Sequence, residues 1–78
     1  MKIGTVLGVL QSRQTAPGYE GARWVQLRAE QGITVALDPV GVQTGQTVIY
    51  AEGISAARYD MQAPADAVII AAVSDGES

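Results

Sequence analysis

The chain has 78 residues, which bounds it to a single small domain, read as 1–78. With 47% hydrophobic residues and 17% charged, it is too apolar to be a disordered tail. A net charge of −3, with Lys2, Arg13, Arg23, Arg28 and Arg58 scattered along the chain, argues against a nucleic-acid surface, and the absence of Cys and His removes disulfides, thiol nucleophiles, imidazole bases and most transition-metal sites. A metal held by carboxylates alone stays open in principle.

The first predicted strand runs from Ile3 to Leu10. Gly4 and Gly8 fall on one face, and Ile3, Thr5, Leu7 and Val9 on the other. Glycine inside a strand marks a bulge or a sharp bend, as in small closed barrels. Gln11 to Gly21 is a polar loop in which Pro17-Gly18 suits a turn. It is long for so small a domain, so it reads either as a structured surface loop or as a contact loop to another chain.

The second strand, Ala22 to Glu30, turns Val25 and Leu27 inward. Glu30-Gln31-Gly32 reverses the chain, and Ile33, Val35 and Leu37 alternate with Thr34, Ala36 and Asp38 in the third strand. Alternation on both sides of a short Gly-containing turn predicts a hairpin. Pro39 ends it, and Gly41 and Gly45 bracket another turn.

Thr47 to Ala51 is the fourth strand. Ser55 then stands as an N-cap before Ala56, Ala57 and Arg58, which predicts a short helix ahead of Pro64. Ala67 to Val73 is the fifth strand, and Asp75 onward is a polar end. The pattern predicts an all-β fold, a small five-stranded OB-like antiparallel barrel with one short helix. Its expected core is Ile3, Val6, Val25, Leu27, Val35, Leu37, Val48 and Ile70, and a Val35→Asp change is expected to unfold it.

The fifth strand is apolar on both faces, with Val68, Ile70 and Ala72 on one and Ala67, Ile69, Ala71 and Val73 on the other. A half-solvated antiparallel strand would alternate apolar and polar. Each Val or Ile left in water forgoes about 1.5–3 kcal/mol, and exposed strands of this kind aggregate. A homo-oligomer resolves the conflict, with Ile69, Ala71 and Val73 as candidate subunit-interface residues. The alternative is that the short helix and the long loop cover that face within one chain. The same run is the longest apolar one, far short of the roughly 20 residues of a membrane span. With no signal-like start, a cytoplasmic protein is expected.

No chemistry emerges from the polar residues. Asp38, Asp60, Asp66 and Asp75 are dispersed and form no acid/base dyad. Ser55 lacks a base, and the turn from Gly41 to Gly45 lacks the Lys-Ser/Thr of a phosphate loop. Tyr19, Trp24, Tyr50 and Tyr59 could stack bases in an OB-type groove, but few cations surround them. No catalytic, cofactor-binding or metal-binding residue is assigned, no cofactor is expected, and the chain is not expected to be an enzyme. An OB-like binding module for single-stranded nucleic acid or a sugar remains the second reading.

Four stretches, in order, resemble the EutN/CcmL family of bacterial microcompartment vertex proteins. They are Met1 to Leu10; Val35-Ala36-Leu37-Asp38-Pro39-Val40-Gly41 with Gly45 and Val48; Gly53-Ile54-Ser55-Ala56-Ala57-Arg58, close to the family's "GSSAR"; and Pro64 to Val73. The sequence departs from the family's Gly-Ala-Gly at Gly41-Val42-Gln43, and Gln14 stands where Lys is common. The resemblance implies a cytoplasmic homopentamer that plugs the vertices of a carboxysome-related polyhedral shell. Hexameric and trimeric shell proteins would be its partners, with no nucleic acid and no membrane. It also implies that Ser55, Ala56, Ala57 and Arg58 lie near the fivefold axis or its pore.

Overall fold

The computed structural model describes residues 1–11, 14, 17, 21–53 and 67–74. Within them lie five strands: β1 (Lys2–Leu10), β2 (Trp24–Ala29), β3 (Gly32–Leu37), β4 (Thr47–Glu52) and β5 (Ala67–Val73). They close into a barrel in the order β1-β2-β3-β5-β4. Closure pairs most of the sheet edges, but β3 meets β5 only at Leu37↔Val68, so the start of β3 keeps a free edge among the described residues. The expected short helix at Ser55–Arg58, like much of the Gln11–Gly21 loop, lies outside the described residues.

β1 is the hinge of the barrel. Its first half pairs with β4, from Lys2↔Tyr50 to Thr5↔Thr47, and the rest pairs with β2, from Thr5↔Arg28 to Leu10↔Trp24. The register shifts between Val6 and Gly8, so the glycine-marked irregularity expected from the sequence is a bulge that bends the strand. Gly4 is required for a different reason. A Cβ there would stand 3.0 Å from the Arg28 carbonyl oxygen and 3.1 Å from the Tyr50 ring, so a side chain fits only if these neighbours give way by a few tenths of an ångström.

The β2–β3 hairpin turns through Glu30-Gln31, with Ala29 paired to Gly32. Antiparallel partners share a face. Val25 and Leu27 point inward, so their partners Ala36 and Thr34 do too; Val35 and Ile33, opposite Gln26 and Arg28, are thereby forced outward. Val35 is accordingly 45% exposed and Ile33 58% exposed. This corrects the expected placement of Val35 in the core. Ile3 is also corrected, at 66% exposed, because Gly4 and Val6 take the inward positions of β1.

The main core joins Val6, Val25, Leu27, Ala36, Val42, Val48, Tyr50, Ala67 and Ile69. A second cluster of Leu37, Ala51 and Val68 lies on the outward parity, with Ala22, Trp24 and Ile70 partly buried around it. Ile70, expected in the core, therefore sits at the rim of this second cluster. β3 and β5 meet in parallel at Leu37↔Val68, the one departure from antiparallel pairing among the described residues.

Candidate functional site

The loop after β3 is held by one carboxylate. Asp38 follows the strand and its side chain is fully buried. Its Oδ1 accepts the backbone N–H groups of Val40 at 3.0 Å and Gly41 at 2.8 Å, while Oδ2 accepts that of Val42 at 2.9 Å. Arg23 Nε donates to the same Oδ2 at 2.7 Å, and Arg23 Nη2 donates to the Val42 carbonyl. The Asp38 N–H donates to the Arg23 carbonyl at 2.7 Å. A buried charge persists only when paired and hydrogen-bonded, and here every partner belongs to this loop or to the residue that enters β2.

The loop is then pinned to β1. The Gly45 N–H donates to the Val6 carbonyl and the Val6 N–H to the Gln46 carbonyl. Gly41 and Gly45 carry the left-handed backbone, φ 94° and 93°, that such a tight path needs. The result is a rigid loop that buries Val42 in the core and exposes Val40 at its tip. Sequence reasoning treated Arg23 as one of the scattered cations and missed this role. The available signal was an Asp directly after a strand and before Pro39-Val40-Gly41, a common way for a side chain to cap a turn.

The outer surface of the barrel carries two separate apolar patches. On one flank Ile3 pairs with Ile49, and Ile49 with Ala71, forming a row across β1, β4 and β5. The next row, Thr5, Thr47 and Val73, lies beside it. On the other flank are Ile33 and Val35 of β3, set beside Arg28 and Gln26 of β2. The strand order places β4 diametrically across from the β2–β3 boundary, so the two patches face opposite ways.

The candidate interface residues of β5 part company here. Ile69 is 1% exposed and packs in the barrel's own core, with nothing to offer a neighbour. The register shift at Ile49/Tyr50 skips a residue of β5, which carries Ala71 and Val73 to the outer flank while Ile69 stays inside. Val68 and Ile70 on the outward parity are covered by the second cluster of the same chain. The first half of the two-faced strand is thus satisfied internally, and the exposed apolar surface lies mainly on β1 and β3.

The axis candidates Ser55, Ala56, Ala57 and Arg58 lie outside the described residues. Of the aromatic residues, Tyr50 is in the core and Trp24 borders the second cluster, so neither stands free on a groove; Tyr19 and Tyr59 lie outside the described residues. Among the described residues no helix is long and apolar enough to cross a membrane.

Residues 1–74 match the family described as EutN_CcmL, Ethanolamine utilisation protein EutN/carboxysome. The fold is similar to CcmL of Gloeobacter violaceus, with a TM-score of 0.81 and 30% identity over 94% of this chain and 84% of that one. It is also similar to EutN of Escherichia coli, with a TM-score of 0.81 and 27% identity over 100% of this chain and 89% of that one. A third relative is the pentameric shell protein MSM0273 of the RMM microcompartment, with a TM-score of 0.83 and 26% identity over 100% of this chain and 95% of that one. No curated protein matches the chain in a sequence comparison.

Proposed function

The chain belongs to the EutN/CcmL family, and on that premise we propose that it is a structural shell protein, not an enzyme, whose homopentamers cap the vertices of a bacterial microcompartment. The observation that carries the reading is the pair of unlike apolar patches on opposite flanks of one barrel. A patch that fits a different patch on the next copy makes a heterologous contact, and such contacts form a ring when the rotation between copies closes. A twofold dimer would need only one self-complementary patch. The likeness to a pentameric microcompartment shell protein supports five as the number of copies.

In this reading the protein resides in the cytoplasm within the shell, and its rim meets hexameric and trimeric tiles. The stretch Ser55-Ala56-Ala57-Arg58 lies toward the fivefold axis, where five copies of Arg58 would gather positive charge. Light scattering tests the assembly: a particle of about 40 kDa, five times the 8.1 kDa chain, is expected. A monomer at all concentrations would contradict it. Co-expression with hexameric shell proteins tests the vertex role, since shells that close equally well without this chain would remove it.

A further inference from the structure

At the end of the barrel where β2 turns into β3, a hollow of about 120 Å³ opens between β3, β4 and the start of β1. β3 pairs with β2 along its whole length but meets β5 only at Leu37, so strand pairing leaves this corner open among the described residues. Two carboxylates, Glu30 and Glu52, face one ammonium, Lys2, across it. Lys2 Nζ lies 3.0 Å from Glu52 Oε1 and neutralises that carboxylate. Among the described residues Glu30 has no cationic partner, and those lining the hollow carry two carboxylates and one ammonium.

The floor provides a second, independent observation. Tyr50 is 1% exposed and lines the hollow, yet its hydroxyl finds no hydrogen-bond partner among the described residues. A buried polar group without a partner costs free energy that a bound ligand would recover. Burial pushes its phenol above the ordinary range, helped by the charges of Glu52 and Glu30 and opposed by Lys2.

We propose that this hollow binds an ammonium group on a short apolar stem, the ammonium donating to the Tyr50 hydroxyl oxygen and the Glu30 carboxylate and the stem lying against Ala29. Anions are disfavoured by the excess of carboxylate, and a space of this size takes a few non-hydrogen atoms rather than a nucleotide. A free alkylamine and the tip of a lysine from another protein share this chemistry.

Amide NMR of the assembled, labelled protein separates the possibilities. Propylammonium chloride is expected to move the Gly32 and Ile33 signals saturably, and propanol at the same concentrations is not. Glu30→Gln, on an exposed turn, is expected to weaken binding about tenfold, and Tyr50→Phe, which deletes only the unpartnered hydroxyl, to weaken it several-fold. Tighter binding of Nα-acetyl-lysine methylamide than of propylammonium assigns the site to a protein side chain; equal or weaker binding assigns it to a free amine. Absence of saturable shifts with either ammonium, equal shifts with propanol, or undiminished binding by Glu30→Gln would overturn the proposal, whatever the number of subunits in the ring.

Discussion

At the scale of single residues, Asp38 and Gly4 carry the most. Asp38→Ala leaves three backbone donors and the Arg23 guanidinium without the buried carboxylate they share. Breaking such a network from one side costs about 2–4 kcal/mol, with the half-exposed Arg23 keeping it toward the low end. Urea denaturation is expected to show that loss, with the midpoint lowered and the slope unchanged. Gly4→Ala places a methyl against the Arg28 carbonyl and the Tyr50 ring, and is expected to cost about 1–3 kcal/mol in the same assay. Gly8→Ala meets nothing within 4 Å and serves as the control.

Tyr50 also sets an alkaline limit. Burial and the Glu52 charge raise its phenol above the ordinary value of 10.0, so the folded chain holds this proton longer than the unfolded chain. Stability from this group is therefore complete below pH 10.0 and drains away as pH rises through the higher folded value. Lys2, raised from 10.5 first by its hydrogen bond to Glu52 and then by that residue's charge, acts in the same direction from the surface. The melting temperature is expected to be level from neutral pH to about 10 and to fall beyond it. Tyr50→Phe is expected to soften that fall; an equally steep decline would place its cause elsewhere.

At the scale of elements, alternation and glycine made strands legible while leaving their faces open. The existence and order of all five strands followed from Gly and Pro punctuation, and Val25 and Leu27 were assigned inward correctly because the face they share is the more apolar one. In β3 alternation points to the wrong face. Ile33, Val35 and Leu37 look like a core face beside Thr34 and Ala36, but the hairpin register, with Glu30-Gln31 as the loop, couples Val35 to Gln26 and turns it out. Apolar alternation reports burial, and burial against another chain reads the same as burial in one's own core. Bulges add a second blind spot, since the skip in β5 that separates Ile69 from Ala71 leaves no mark in a run of Val, Ile and Ala. Asp38 had a local turn-capping signal, but its pairing with Arg23, fifteen residues away, leaves no local pattern.

The corrected face changes an expectation into its opposite. A Val35→Asp chain now carries its carboxylate in solvent, so circular dichroism is expected to show an intact barrel. A cooperative loss of β signal would restore Val35 to the core and discard the register.

At the scale of the whole molecule, the two patches determine what kind of assembly is possible. Burying Ile3 on one flank, or Ile33 and Val35 on the other, gains about 1.5–3 kcal/mol per side chain, enough in sum to reward contact between copies. If the flank of Ile3 meets the flank of Val35 on the next copy, each chain needs both patches to remain in a ring. Ile3→Asp and Val35→Asp are then each expected to give folded monomers, because either change breaks every contact around the axis. Mixed together, the two variants keep one productive pairing, the intact Val35 flank of the first against the intact Ile3 flank of the second. Neither can extend it, so growth stops at a heterodimer of about 16 kDa, twice the chain mass. If like patches met instead, one of the single variants would remain assembled and mixing would add nothing. Sedimentation velocity on the separate and mixed variants distinguishes these outcomes, and a mixture that stays monomeric at concentrations where the unmodified protein forms rings would dismiss the pairing of unlike flanks.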